Sequence, residues 1–155
     1  MYNLNNIAKQ KAKEVWKHKS ILVPQWKNKK VKKSNLVKVG KYVMEPPAMI
    51  VACTDGKDCA TGYSHEPRKS QFDKTPALKK ALCSIPPEHL GIGEKNSQCA
   101  NIIGRCAEPH AALELMKGKK HQPSLNKLFF SRAFRPRTGE SFPPCYNCKN
   151  TFPNI

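Results

Sequence analysis

Long hydrophobic runs are missing from this 155-residue sequence, and no stretch approaches the roughly 18 consecutive apolar residues that a membrane span needs. The first residues, MYNLNNIAKQKAKEVWKHK, also lack the apolar segment of a signal peptide. Both absences argue against membrane association and against export by a signal of the chain's own. We therefore expect a soluble, cytoplasmic protein, with nuclear import or delivery as an effector as alternatives.

Acidic side chains are also scarce. The 11 Asp and Glu residues stand against 28 Lys and Arg, and the formal net charge at pH 7 is +17. Such a charge favours a polyanionic partner, with RNA or DNA ahead of an acidic membrane surface. The alternative is a surface that only keeps the protein soluble, because net charge carries no specificity.

The cysteines do not form an even set. Their number, seven, fits a disulfide framework poorly and suits thiols that are kept reduced. In that setting, a close pair of cysteines is first interpreted as part of a metal site.

Lysine is concentrated at the start of the chain, where residues 1–41 hold 12 Lys and one acidic residue. We predict that this segment is a basic N-terminal arm attached to a more balanced body over residues 42–155. Apolar residues from Ile7 to Trp16 recur at helical spacing and predict a short helix in the arm. The run KNKKVKK at 27–33 is too charged to bury, and it would contact phosphates, act as a nuclear-import signal or remain a solvated linker.

Turn and strand signals mark the β-structure of the body. Asp55 and Gly56 join two runs of small and β-branched residues, which predicts a β-hairpin. The aromatic run LFFSRAF at 128–134 predicts a strand, with its three Phe side chains in the core. Three arginines alternate on this strand and the loop after it, where phosphate contact and a solvated edge are both open interpretations: Arg132, Arg135 and Arg137.

Two helices are predicted between the hairpin and this strand. Pro76 suits a first helical turn, and the apolar face after it predicts a helix of about three turns. A second helix is predicted from Glu108 or Pro109 to the vicinity of Gly118. With no internal repeat, these elements indicate a single α/β domain of layered architecture, a mixed β-sheet with helices on its faces.

The motif PPCYNC at 143–148 places two cysteines at C-x-x-C spacing. Alone, this spacing fits half of a zinc site, a redox pair or chance, and the redox pair is disfavoured because its βαβ context is missing. A third thiol, Cys106, precedes the second helix, and the Glu108 carboxylate follows it closely. Three thiolates that leave one position open are what a catalytic zinc requires.

Helix starts favour this chemistry. Sulfurs at C-x-x-C spacing can bind one tetrahedral ion at a tight turn or a helix start, where amide N–H groups stabilise thiolates. Cys106, at the start of another helix, can supply the third thiolate from the facing element. Glu108 is too displaced around the helix to share that coordination direction, yet it is near enough to move a proton from a water to a departing amine.

Two non-catalytic interpretations of these residues remain open. The site could hold no metal, with Glu108 and Pro109 serving only as a favourable helix start. A structural zinc would instead recruit a fourth cysteine, although burial as small residues is the more expected role of the four available ones: Cys53, Cys59, Cys83 and Cys99. His110 is expected to be a packed or exposed residue rather than a ligand.

The pattern C-x-E at 106–108 followed by P-C-x-x-C at 144–148 resembles the zinc nucleoside and nucleobase deaminase signature, H-x-E with P-C-x-x-C, in an all-cysteine ligand form. The stretch GRCAE at 104–108 is most similar to the bacterial toxin-type branch of that superfamily, the YwqJ-like deaminases, in which Cys replaces the His ligand. The preceding hairpin and helix fall in the family's order, so the resemblance covers residues 43–150.

The resemblance implies a cytidine-deaminase-like fold and a zinc ion as cofactor. It implies Glu108 as the proton shuttle and three zinc ligands: Cys106, Cys145 and Cys148. The implied reaction is attack of a zinc-activated water on the amine-bearing carbon of cytosine or adenine, with ammonia leaving.

Further roles follow from the same resemblance. The backbone N–H of Ala107 would bind a base carbonyl in the pocket floor, and Pro144 would shape the turn that presents the cysteine pair. The family carries a polar residue that faces the substrate at the end of the second hairpin strand, and here that place falls to Ser64 or His65.

Two features depart from the family pattern. The family fold continues after P-C-x-x-C through a helix and at least one more strand, whereas this sequence ends at Ile155. That ending fits a reduced deaminase, a truncated sequence or a degenerate homologue that binds zinc without catalysis. The cysteine in place of histidine adds negative charge, which should make a bound water less acidic.

The expected function is therefore a zinc-dependent hydrolase that deaminates a nucleobase in a nucleotide or single-stranded nucleic acid. As a toxin or effector domain it would have an immunity protein as a further partner. The alternative is a non-catalytic, zinc-stabilised nucleic-acid-binding module whose affinity comes from the Lys-rich arm.

Overall fold

The computed structural model describes residues 1–25, 37–39 and 42–155, and the basic run at 27–33 lies outside the described residues. The α-helices within them are α1 (Leu4–His18), α2 (Pro76–Leu82), α3 (Ala107–Met116) and α4 (Tyr146–Thr151). The strands are β1 (Val23–Gln25), β2 (Val37–Val39), β3 (Tyr42–Glu45), β4 (Ile50–Thr54), β5 (Cys59–Tyr63), β6 (Phe129–Phe130), β7 (Ala133–Phe134) and β8 (Ser141–Phe142). None of these helices has the length and apolar composition for a membrane crossing.

The strands form two sheets, which confirms the predicted α/β class. One sheet has the order β1-β3-β2, and the larger has the order β5-β4-β7-β8 with β6 also paired to β4. The expectation of a mixed sheet is wrong for the described strands, because every pairing between them is antiparallel. In the larger sheet β7 runs in the same direction as β5, but β4 lies between them, so the two never pair.

The predicted hairpin is confirmed as β4 and β5, whose register runs from Ile50 opposite Tyr63 to Thr54 opposite Cys59. Gly56 in the connecting turn has a φ of +89°, a left-handed conformation that a residue with a Cβ rarely adopts. The carboxylate of Asp55 accepts hydrogen bonds from the backbone N–H groups of the next residues, at 3.0 and 2.9 Å. This closed turn fixes the end of the hairpin that is remote from residues 49 and 64.

Strand β4 is buried on both faces and separates two hydrophobic cores. Its residues Ile50 and Ala52 belong to the core beneath α1, together with Phe134. Val51 and Cys53 belong to the larger core, which α2, α3 and α4 cover. The helix predicted in the basic arm therefore exists and packs onto the sheet through its buried residues, which are Ala8, Ala12 and Val15.

Helix α3 packs against β5 at a point where no side chain fits. A Cβ added at Gly62 would lie 2.1 Å from the backbone nitrogen of Ala111. This close approach holds the first turn of α3 beside the end of β5. In addition, the backbone N–H of His65 donates to the carbonyl of Arg105 at 3.2 Å, which ties the residue before Cys106 to the same strand end.

Two predicted elements differ in detail. Helix α2 is shorter than three turns and ends at Leu82, ahead of the prolines at 86 and 87. The strand predicted at 128–134 is split into β6 and β7, because Ser131 makes its own bonds to β4: its backbone N–H donates to the Ala52 carbonyl and its Oγ accepts from the Ala52 N–H, each at 2.9 Å.

The three phenylalanines of this segment have different environments. Phe134 is buried beneath α1, and Phe130 is half-buried with its ring centroid 4.5 Å from that of Phe152. The core prediction is wrong for Phe129, which is 50% exposed. Successive side chains of a strand point to opposite faces, so Phe129 cannot share the inward face of Phe130.

Candidate metal centre

Three cysteine sulfurs meet where the starts of α3 and α4 come together. Cys106 is the N-cap of α3 and Cys145 is the N-cap of α4, and both have extended backbone with ψ angles of 159° and 172°. Cys148 lies in the first turn of α4. The Sγ atom of Cys145 is 3.4 Å from that of Cys106 and 3.7 Å from that of Cys148, and all three sulfurs lie within 4.8 Å of one another.

This group is positioned to bind a metal ion, and its chemistry would fit zinc. Three thiols are soft donors, and zinc binds thiolate sulfur at about 2.3 Å with tetrahedral geometry. Two sulfurs on such an ion lie about 3.8 Å apart, which is close to the two separations given above. The backbone N–H of Cys148 donates to the Cys145 sulfur, which favours the deprotonated, metal-binding form of Cys145.

The group contains three ligands rather than four. In the described part of the chain no other His, Cys, Asp or Glu side chain joins it. Of the remaining cysteines, Cys53 is buried in the main core, and three are half-buried: Cys59, Cys83 and Cys99. Among the described residues, therefore, no fourth cysteine lies close enough to complete a closed structural site. A tetrahedral ion would keep one position for a water or substrate.

The three thiols differ in their tendency to ionise. Hydrogen bonds from the Cys106 and Cys148 thiols lower the pKa of Cys145 to about 2. The pKa of Cys106 is raised, first by its hydrogen bond to Cys145. The pKa of Cys148 is raised, first by its hydrogen bond with Cys106 and then by its hydrogen bond with Cys145 and by burial. Zinc binds cysteine as thiolate, so an ion that binds all three sulfurs must displace the protons that their thiols carry.

Glu108 lies beside this cluster and is 5% exposed. Burial raises the pKa of its carboxyl, while hydrogen bonds from its own backbone N–H and from the Cys148 thiol act in the opposite direction. The contact with Cys148 places the carboxyl next to a ligand without making it a member of the ligand group.

The site opens into a cavity of about 380 Å³. Such a volume is within the range of roughly 300 to 1,000 Å³ that is common for small-molecule sites. Polar groups of the site line one part of the wall, including Cys106, Cys145 and Glu108, and apolar residues of β1 and β8, such as Val23 and Phe142, line another.

The structure brings the other predicted site residues to the same place. Ala107, Ser64 and His65 all line the cavity. Ser64 is held by Met49, whose backbone N–H donates to the Ser64 Oγ at 3.0 Å. Pro144, which was expected to shape the turn of the cysteine pair, is half-buried directly before Cys145, whereas Pro143 lines the cavity.

His65 is fixed on two sides. Its Nδ1 lies 3.0 Å from the carbonyl oxygen of Glu66, which only accepts hydrogen bonds, so Nδ1 carries the proton and Nε2 is free of one in the neutral ring. Its ring stacks on that of His110 with centroids 3.7 Å apart. The pKa of His65 is lowered, mainly by burial. His110 is a packed residue, as expected, and its ring lies against those of His65 and Phe72.

Several residues of the site were missed by sequence reasoning. Asn101 lines the cavity, and its side chain hydrogen-bonds to Cys145, while its carbonyl accepts from the Asn147 Nδ2 at 2.9 Å. Arg105 and Glu66 also line the cavity and form an ion pair of 3.4 Å. Asn147 lies between Cys145 and Cys148 in the sequence, and this position was the one signal that could have marked it as a residue of the site. Nothing in the sequence around Asn101 marks it.

Comparisons with known proteins give no match, so a function can be argued only from the geometry of the site. No protein-family model, no curated protein and no solved structure matches this chain.

Proposed function

We propose that this chain is a zinc-dependent hydrolytic deaminase that acts on a nucleobase, in a nucleotide or in nucleic acid. One observation carries the proposal: three cysteine sulfurs lie together, and two of these cysteines line one cavity with the buried carboxyl of Glu108. A three-thiolate site leaves a coordination position for chemistry, and the carboxyl supplies a group that can move protons beside it.

The residues of the chain would divide the reaction among them. Cys106, Cys145 and Cys148 would hold the zinc, which when bound supplies Lewis-acid activation of the attacking water. Glu108 would carry both protons of that water, one to the ring nitrogen beside the attacked carbon and the other to the exocyclic nitrogen. A C–O bond forms and the C–N bond breaks, so the amine leaves as ammonia and the base gains a carbonyl.

The remaining cavity residues would bind and orient the base. The backbone N–H of Ala107 is suited to a base carbonyl, and the stacked ring of His65 offers an unprotonated Nε2 as a hydrogen-bond acceptor. Phe142 gives an apolar ring at the cavity wall on which a base can pack.

The order of elements supports the resemblance to the deaminase superfamily. The hairpin of β4 and β5 is followed by α2 and then by α3, which begins at the C-x-E motif. After the strands β6 to β8 comes the short helix α4, which begins at the C-x-x-C motif. We propose on this basis a cytidine-deaminase-like domain of the toxin-type branch.

Metal content is the first test. We expect about one zinc per chain in the purified protein and its loss in Cys106→Ser, because two thiolates hold zinc far more weakly than three. Cys99→Ser is the matched control, since Cys99 is half-buried and outside the ligand group. Elemental analysis that finds no zinc in the wild-type protein, or the same content in Cys106→Ser, would contradict the proposal.

Ammonia release is the second test, measured on free bases, nucleosides, nucleotides and single-stranded DNA and RNA. Glu108→Gln should lower kcat by roughly 100-fold or more while zinc content is unchanged, because general acid–base catalysis contributes about that much. Glu114→Gln, an exposed position on the same helix, should retain activity.

A second candidate is the zinc-stabilised nucleic-acid-binding module, which the net charge of +17 favours. A wild-type protein that holds zinc, binds nucleic acid and releases no ammonia from any of these substrates would select this candidate and reject the enzyme.

A further inference from the structure

Helix α1 runs along the sheet toward the cavity. At its start, the Tyr2 hydroxyl donates to the carbonyl of Lys57 in the hairpin turn, at 2.9 Å. This turn is the end of the hairpin remote from Ser64, which lines the cavity. After α1 ends at His18, a short connection leads to β1, where Val23 and Pro24 are themselves part of the cavity wall.

The face of α1 that points away from the sheet carries a row of lysines, Lys9, Lys13 and Lys17, which we call the lysine row. All three are exposed, and within the described residues none forms an ion pair. Side chains four residues apart are neighbours on a helix, so this arrangement sets like charges side by side at a cost to helix stability. The one acidic residue of the helix, Glu14, is already engaged by Lys11 at 3.0 Å.

Two arginines border this region, one beside the start of α1 and one beside the cavity. The backbone N–H of Arg132 donates to the Asn5 side chain at 2.9 Å, so Arg132 lies beside the first turn of α1. Arg135 lies over the ring of Phe142, with its guanidinium carbon 4.4 Å from the ring centroid, and Phe142 lines the cavity.

We infer that the lysine row binds the phosphates of a single-stranded nucleic acid and leads the strand toward the cavity. The row spans about 12 Å of helix, enough for several successive phosphates of one strand. The inference that the nucleic acid is single-stranded rests on the proposed function, because a base must leave a duplex stack before it can enter a cavity of this size.

Binding of a fluorescent single-stranded oligonucleotide, followed by anisotropy over a range of salt concentrations, tests the inference. The triple variant Lys9→Gln, Lys13→Gln, Lys17→Gln should reduce the slope of log affinity against log salt by about 2, since each phosphate contact on a single strand contributes about 0.7. At about 0.1 M salt this slope corresponds to roughly 100-fold weaker binding, taking the affinities to converge near 1 M.

The matched control removes the same charge from the opposite face of the sheet. Lys69, Lys74 and Lys80 are exposed, lie in or near α2 and form no ion pair within the described residues. Their triple change to Gln should leave the salt slope close to that of the wild type. Equal losses in both triple variants would mean that net charge alone attracts the strand, and would overturn the inference.

The same binding assay in the Glu108→Gln background separates this inference from the proposed function. Oligonucleotide affinity there should equal that of the wild type and should still depend on the lysine row. If oligonucleotide affinity does not depend on the lysine row, the binding inference is overturned, whatever the ammonia assay gives. If affinity depends on the lysine row but the wild-type protein releases no ammonia, the deaminase proposal is rejected and the binding inference stands. In an active enzyme, the lysine-row variant should raise KM for an oligonucleotide and leave deamination of a free nucleoside unchanged.

Discussion

His110 is a buried polar side chain that its surroundings only partly satisfy. Its ring is 4% exposed and stacks on His65, and within the described residues its Nε2 has no hydrogen-bond partner. Burial, with a smaller contribution from the charge of His65, lowers the pKa of His110 to about 3. The neutral ring therefore belongs to the folded protein and supports the wall of the cavity through His65.

Acid should destabilise the fold through this side chain. The pKa of His110 is about 6.5 in an unfolded chain and is lower in the folded one, so the unfolded state takes up the proton first. The stability that depends on the neutral ring is complete above about pH 6.5 and is lost progressively as the pH falls toward the folded-state value. His110→Phe keeps an aromatic ring and removes this titration, and it should reduce the loss of unfolding free energy between about pH 7.5 and 5 by about 2 kcal/mol.

Denaturant unfolding at the two pH values measures this difference. His121→Phe, at an exposed position, should lose as much stability as the wild type. An acid sensitivity that is the same in His110→Phe and in the wild type would show that His110 does not titrate on unfolding.

Helix α3 depends on β5 for its position. The glycine at 62 lets the helix backbone approach the strand, and this approach sets the first turn of α3, with Cys106 and Glu108, beside His65. A larger residue would push the helix away from the strand, so the packing and the site rest on the same contact.

Gly62→Ala should therefore be strongly destabilising. Its Cβ would lie 2.1 Å from the Ala111 nitrogen, and because the clash is with backbone it cannot be relieved by rotating a side chain. We expect a loss of about 3 kcal/mol or more in the free energy of unfolding, together with reduced zinc binding. Gly91→Ala, where the added Cβ meets nothing within 4 Å, should change stability by about 0.5 kcal/mol at most. Equal melting temperatures for the two variants would refute this account of the contact.

The metal centre joins parts of the chain that are distant in sequence. Cys106 and Cys145 are 39 residues apart, and each caps a different helix. An ion bound to both would hold α3 and α4 together at the edge of the larger core, so metal binding would be coupled to folding of the whole domain.

Removing the metal should lower the thermal stability of the whole domain. With free zinc about 100-fold above its dissociation constant, the stabilisation is about 2.7 kcal/mol, which corresponds to a shift of about 5 to 10 °C in Tm for a chain of this size. Calorimetry with and without a chelator measures this shift. Cys106→Ser should melt at the same temperature with and without the chelator. A chelator-induced shift in this variant as large as that of the wild type would mean that the metal binds at another site.

Local signals in the sequence were sufficient for the hairpin and for the existence of α2 and α3, because turn residues and helix starts act over a few residues. They also singled out Cys106, Cys145 and Cys148, whose sulfurs lie within 4.8 Å of one another. They failed where the outcome depended on packing. Phe129 faces outward and Ser131 interrupts a strand because hydrogen bonding to the backbone of β4 sets the positions of both residues. Strand β4 is far away in the sequence.

The sequence by itself determined which residues can bind a metal and that each begins or follows a helix start, since thiols and helix caps are properties of short segments. Only the tertiary structure decided that the three sulfurs meet, that no fourth cysteine joins them and that the basic helix lies against the sheet with its lysines outward. The physical reason is that these outcomes depend on how α1, α3 and α4 pack around β4 and β5, and packing is a sum of contacts between residues that are remote along the chain.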